Sequence, residues 1–150
     1  MPSSRTRNTV NSNEWKGTAP AADANGLFNP FAWVPKFTTK TADYTVLSTD
    51  SGTFFNNVGA TANVNFTLPA ISTGPWQFWF VASASAVNLT VTAATADTMI
   101  TFNDLQADSI AFSTSNEIIG GIFWAFCDGT SLWCIQIGGV SHRQTATVAT

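Results

Sequence analysis

The sequence predicts an all-β protein, a β-sandwich preceded by an extended N-terminal arm. From residue 41 onward, short segments rich in β-branched and aromatic residues recur at the spacing of about 8–12 residues that is typical of sandwiches and barrels. Several segments alternate apolar and polar residues with a period of two, and none shows a convincing helical period. We therefore expect an arm over residues 1–40, a β-sandwich domain over residues 41–142 and a polar C-terminal tail over residues 143–150.

The first strands of the domain are short. A strand begins at Tyr44, and the turn STDSG follows, in which Gly52 is free to take a positive φ. A second strand contains Phe54 and ends at the two asparagines that follow it. Residues 63–68 then alternate polar and apolar side chains, as expected for a half-buried strand that ends at Pro69.

The segment PWQFWFVAS is apolar on both of its faces. A period of two places Trp76, Phe78 and Phe80 on one face and Trp79 and Val81 on the other. Such a strand is predicted either to be central in a sandwich or to be half-covered by another subunit.

The later segments complete the β pattern. VNLTVTA alternates clearly, DTMITF and SIAFS are shorter, and EIIGGIFWAFCDGTSLWCIQIGG is predicted to be a long hairpin that turns at residues 128–131. ATADTM and NDLQADS are expected to form a helical turn at most, and the chain contains no tandem repeat.

The charges are few and unevenly distributed. Charged residues make up 10% of the chain, against roughly 25% in an average soluble domain. Residues 41–142 contain no basic residue and carry a net charge of −7, whereas residues 1–40 carry +3. This asymmetry indicates that the arm contacts an acidic partner, or it is chance in a chain of low charge. The positive charges are too dispersed to favour nucleic acid.

Two expectations concern location. No apolar run reaches the length of about 18 residues that a membrane helix needs, so no membrane association is expected. The N-terminus lacks the apolar segment of a secretory signal, which predicts synthesis and residence in a cytoplasm.

The arm keeps aromatic residues that disordered segments usually lack. We expect it to be extended and to bind a partner outside its own domain, although it could instead pack on that domain. Its aromatic residues are Trp15, Phe28, Phe31, Trp33 and Phe37. Four of its basic residues are expected to orient the binding rather than supply most of the affinity: Arg5, Arg7, Lys16 and Lys36.

No residue pattern indicates catalysis, a cofactor or a metal site. Cys127 and Cys134 flank the predicted hairpin turn in a register that is poor for a disulfide, so both are expected to be free and buried. His142 is the only histidine and lies in the polar tail, where it is expected to be solvated. Asp104 and Asp108 are spaced like ordinary exposed acids. The chain is therefore predicted not to be an enzyme.

Several motifs together resemble a β-rich domain of tailed-bacteriophage structural proteins. They are YTVLSTDSGTFFNNVGATANVNFTLPA, GPWQFWFV, NLTVTAATADTMI and FCDGTSLWCIQIGG, which lie within residues 42–139. The resemblance implies a jelly-roll-like antiparallel β-sandwich, often a homotrimer, without catalysis. It carries over no binding residue, because the matching positions belong to the scaffold.

These observations predict a virion structural protein. We expect a decoration (cement) protein that is assembled in the host cytoplasm, binds the major capsid protein on the capsid surface and stabilises the phage head. It is expected to be a homotrimer, because strands that are apolar on both faces leave more hydrophobic surface than a monomer should expose. The alternative is a head-fibre, tail-fibre or spike domain that binds a host receptor or glycan.

Overall fold

The computed structural model describes residues 36–102, 104–113, 119–138 and 146–150. Residues 36–150 form one compact unit, and all of the described secondary structure belongs to it. None of the described residues forms a helix that is long and apolar enough to cross a membrane.

The described residues contain twelve strands in two sheets. The strands are β1 Lys36–Thr39, β2 Tyr44–Thr45, β3 Thr53–Asn56, β4 Val64–Thr67, β5 Trp76–Val81, β6 Leu89–Thr92, β7 Met99–Thr101, β8 Asp104–Ala107, β9 Ser109–Phe112, β10 Ile122–Cys127, β11 Leu132–Gly138 and β12 Ala146–Ala149. Two short 3₁₀ turns occupy Ser48–Asp50 and Ile71–Thr73. The seven-stranded sheet has the order β1-β3-β5-β10-β11-β7-β8, and the five-stranded sheet has the order β12-β9-β6-β4-β2.

The two sheets pack into a sandwich through a core of aromatic rings. Phe66 of the five-stranded sheet lies 5.5 Å from Phe55 and 5.0 Å from Phe80 of the other sheet, measured between ring centroids. Phe112 and Phe123 stack across the same gap at 3.9 Å. All five rings are buried, so the prediction of an all-β sandwich is confirmed.

The strand directions differ from the purely antiparallel arrangement that we expected. Five of the ten described strand pairings are parallel. The chain alternates between the sheets from β1 to β6, so every second strand returns to the same sheet in the same direction. The opposite sheet thus supplies the crossover connection that a parallel pair requires. Around the β10–β11 hairpin, β10 pairs antiparallel with both β5 and β11, whereas β11 pairs parallel with β7.

Three sequence expectations need correction. Lys36–Thr39 is not part of an arm, because it pairs with β3 as the edge strand β1, which moves the start of the domain to residue 36. Asp104–Ala107 forms strand β8 rather than a helical turn. Ala146–Ala149 of the predicted polar tail forms β12, which pairs with β9.

Local sequence determines the turns between these strands. Gly52 has a φ of +86°, as the turn before β3 was predicted to require. In the β10–β11 hairpin, Gly129 has a φ of +94°, and the Asp128 carboxylate accepts hydrogen bonds from the backbone N–H groups of Thr130 and Ser131, both at 2.8 Å. An Asp side chain that bonds to its own turn is a common stabiliser of such loops.

Phe54 and Phe55 are adjacent in β3 and lie on opposite faces of the sheet, so replacing each with alanine tests this assignment. Phe55→Ala should cost about 3–5 kcal/mol of unfolding free energy, because it opens a cavity in the core. Phe54→Ala, on the outer face, should cost less, about 1–3 kcal/mol, the value of its two lost aromatic pairs with Phe37 and Trp79. Denaturant unfolding at one low protein concentration compares them. Equal losses would contradict the assignment of the two rings to opposite faces.

Candidate interaction surface

The outer face of the seven-stranded sheet is lined with aromatic side chains. The strand register sets five residues of neighbouring strands side by side in a first row: Phe37, Phe54, Trp79, Trp124 and Ile135. Their sequence neighbours Phe55, Phe78, Phe80, Phe123 and Ala125 are buried, so the row points away from the core. Phe37 is 66% exposed at the edge of the sheet, and the other members are half-buried.

A second row runs beside the first on the same face. It contains Gln77, Phe126, Trp133 and Ile100, which are also in cross-strand register. Val81 and Ile122 pair in a third position along the strands. We call this surface, formed by the two rows with Val81 and Ile122, the aromatic face. None of its members is charged.

The rings of the aromatic face lie against one another. Trp79 stacks on Phe54 at 4.6 Å with an interplanar angle of 5°, and on Trp124 at 6.3 Å with an angle of 4°. Phe126 stacks on Trp133 at 5.2 Å. The rings of neighbouring strands are therefore packed against one another along the face.

The outer face of the five-stranded sheet is different in kind. Its side-by-side residues are Asn65, Thr90, Ala111 and Thr147, followed by Thr67, Thr92 and Ser109. Thr92 donates a hydrogen bond to Asn65 at 2.6 Å, so neighbouring side chains satisfy each other. This is the composition of an ordinary solvent face. The two outer faces of one sandwich therefore meet different surroundings.

A shallow groove of about 330 Å³ borders the aromatic face. Trp124 and Phe126 of the face line it together with Ser51, Trp76 and Cys127. The indole N–H groups of Trp76 and Trp124 are buried and have no acceptor among the described residues.

Asp50 connects β1, the edge strand of the seven-stranded sheet, to the loop that follows β2. Its carboxylate accepts hydrogen bonds from Lys36 at 3.3 Å, from the Tyr44 hydroxyl at 3.1 Å and from the backbone N–H of Leu47 at 3.3 Å. Burial alone would raise the pKa of Asp50, but these bonds outweigh it and lower the pKa. Lys40 completes the cluster, with its ammonium 3.5 Å from the centroid of the Tyr44 ring.

The structure describes only two of the residues that were predicted to bind a partner through the arm. Lys36 pairs with Asp50 of its own domain, and Phe37 packs 5.3 Å from Phe54, so both belong to the sandwich. The other predicted arm residues lie outside the described residues. They are Arg5, Arg7, Trp15, Lys16, Phe28, Phe31 and Trp33.

The described side chains that could have served in catalysis or metal binding are buried or make hydrogen bonds within the domain. Cys127 and Cys134 are both free and buried, as predicted, and Cys127 pairs with Leu132 across the hairpin. Asp104 accepts hydrogen bonds from the Gln106 N–H and from the Thr150 hydroxyl, which lower its pKa. No group of three His, Cys, Asp or Glu side chains within the described part of the chain could hold a metal ion. His142 lies outside it.

Sequence comparisons identify no family. No protein-family model matches the chain, and no curated protein matches it. The resemblance to phage structural domains therefore stays a prediction, and the proposed function rests on the aromatic face.

Replacing Asp50 should weaken the edge of the sheet in a pH-dependent way. Asp50→Asn should lose about 0.5–1.5 kcal/mol of unfolding free energy at neutral pH, the usual value of a hydrogen bond. Because the pKa of Asp50 is lowered in the folded state, the contribution of its carboxylate is complete above the ordinary Asp range and disappears as the pH falls below it.

Unfolding measured between neutral pH and about pH 3 tests this, since Asp side chains titrate near 3.9. The curves for the wild type and Asp50→Asn should converge at the acidic end. The exposed Asp108, changed to Asn, serves as the control and should follow the wild type throughout. A constant gap for Asp50→Asn at every pH would contradict the assigned role of the charge.

The two thiols should react only when the protein opens. Burial raises the pKa of Cys134 far above its ordinary value and also raises that of Cys127, so little thiolate forms at mild pH. Titration with a thiol reagent should find two groups per unfolded chain without added reductant, and much slower reaction in the native protein. Fewer than two groups in unfolded, unreduced protein would contradict the free-thiol assignment.

Proposed function

We propose that this chain is a non-enzymatic structural protein of a tailed-phage virion, a decoration protein that binds the major capsid protein and stabilises the head. The observation that carries the proposal is the aromatic face, an uncharged surface of mainly apolar side chains on six strands, which supports a role as a subunit of a larger protein assembly. That this assembly is a phage head is what the resemblance implies. A broad surface of this composition suits a protein neighbour, because interface cores are enriched in aromatic residues and depleted of charge.

Three further features support a structural role. The all-β sandwich agrees with the phage domains that residues 42–139 resemble. The described acidic and thiol side chains have structural contacts or lie exposed, rather than forming a nucleophile with its base. A small stiff domain can also act through many weakly bound copies, since multivalency multiplies modest affinities.

Glycan binding by a fibre or spike domain is the alternative function. Sugar rings bind aromatic side chains by lying flat on an open ring face. Trp79 stacks on Phe54 at 4.6 Å with an interplanar angle of 5°, so one flat side of its ring is occupied within the chain. This stacking favours a protein partner over a sugar at the aromatic face.

The copy number per particle separates the two functions. Quantitative mass spectrometry of purified particles of the virus that encodes this chain would measure its ratio to the major capsid protein. Decoration predicts hundreds of copies per particle, whereas a fibre predicts a few dozen or fewer. Absence of the chain from purified particles would contradict the virion role altogether.

A further inference from the structure

We propose that a second copy of this chain covers the aromatic face, so that this face is the subunit interface of a closed homo-oligomer. The inference goes beyond the virion role and does not depend on it. It rests on the size of the face, its lack of charge and the exposure at its edge.

The size of the aromatic face is suited to a subunit contact. Its 11 outward side chains lie on six strands, and at about 4.8 Å between strands and about 6.7 Å between successive outward positions they cover roughly 350 Å². The largest apolar patch on a typical monomer is about 300–600 Å² and is often functional. A stable interface buries about 800 Å² per partner, of which a patch of this size would form the apolar core.

The absence of charge limits the kind of partner. The described acidic residues lie outside the two rows, and Asp50, Asp104 and Asp128 have local hydrogen-bond partners in loops or at the sheet edge. An acidic or basic partner surface would lose hydration at this face and gain no opposite charge in return. Another uncharged apolar sheet face suits it best, and every copy of this chain supplies one.

The second outer face provides an internal comparison. Thr90, in the central strand β6 of the five-stranded sheet, lies between Asn65 and Ala111 and points outward, as Trp79 does from β5. One fold thus places threonine and asparagine on one outer sheet face and tryptophan and phenylalanine on the other. Such a difference is expected when only one of the two faces remains in water.

The exposed edge of the first row indicates where the second copy lies. Phe37 is 66% exposed although its ring is 5.3 Å from that of Phe54. The strand that carries it, β1, ends the sheet on that side and pairs only with β3 among the described strands. A neighbouring copy that extends over β1 would cover both the ring and the open strand edge, which would otherwise promote uncontrolled association. Closed symmetry then ends growth.

Light scattering on the intact chain tests the proposal directly. At micromolar concentration the wild type should have a mass that is a small multiple of 16.0 kDa, and a homotrimer is the expected assembly. Trp79→Glu, which places a charge at the centre of the aromatic face, should reduce the mass to that of one chain. Thr90→Glu is the matched control on the polar outer face and should keep the wild-type mass.

A second variant, Phe37→Glu, distinguishes loss of the interface from misfolding of Trp79→Glu. Phe37→Glu changes a largely exposed side chain at the edge, and its far-UV circular dichroism should match that of the wild type. Its dissociation constant should rise at least about tenfold, as expected for the loss of an interface anchor. Radical footprinting of the unmodified chain adds an independent readout, in which Trp79, Trp124 and Trp133 should be protected in the oligomer and become reactive on dilution.

Several outcomes would overturn the inference. A wild type that is monomeric at micromolar concentration would do so, and so would an oligomer that tolerates both Trp79→Glu and Phe37→Glu. Loss of the oligomer in Thr90→Glu but not in Phe37→Glu would place the interface on the other sheet. A monomer that still coats phage particles would contradict this proposal and leave the proposed function intact.

Discussion

The pleat of β5 places Phe78 and Trp79 on opposite faces of one sheet, and the whole architecture depends on that sheet being apolar on both sides. On the inner side, the five-stranded sheet covers Phe78, Phe80 and their neighbours. On the outer side, the rings of the first row pack against one another. Burial of the inner rings stabilises the fold, whereas the outer rings form the apolar surface on which the proposed association rests.

Sequence reasoning predicted most strands but not their partners. Alternation identified the strand that contains Val64 and Phe66, and Gly52 and Asp128 marked turns that the structure contains. Alternation says nothing about which strands pair, so the parallel pairings that arise from switching between sheets were not predicted. Strand β8 was missed because Leu105 and Gln106 are both exposed and break the period. Strand β12 was missed because its sequence, ATVA, is short, consists mostly of small residues and lies in an otherwise polar tail.

The aromatic face was predictable only in part. The apolar residues on both faces of β5 were evident in the sequence, and they already suggested cover by another subunit. The continuous rows of aromatic residues were not evident in the sequence. They depend on the register of the parallel β1–β3 pairing, which places Phe37 beside Phe54. Lys36 was wrongly assigned to a partner-binding arm. Its ion pair with Asp50 joins residues that are separated by a strand and two turns, and no local sequence pattern reveals such a contact.

An experimental structure of the intact chain at its assembled concentration would test the central claim most directly. The account predicts that Trp79, Trp124 and Trp133 lie against a second copy of the chain, with water excluded from the aromatic face, while Thr90 and Thr92 stay in solvent. A structure in which the aromatic face is open to water, or in which copies meet through the threonine-rich sheet instead, would contradict it.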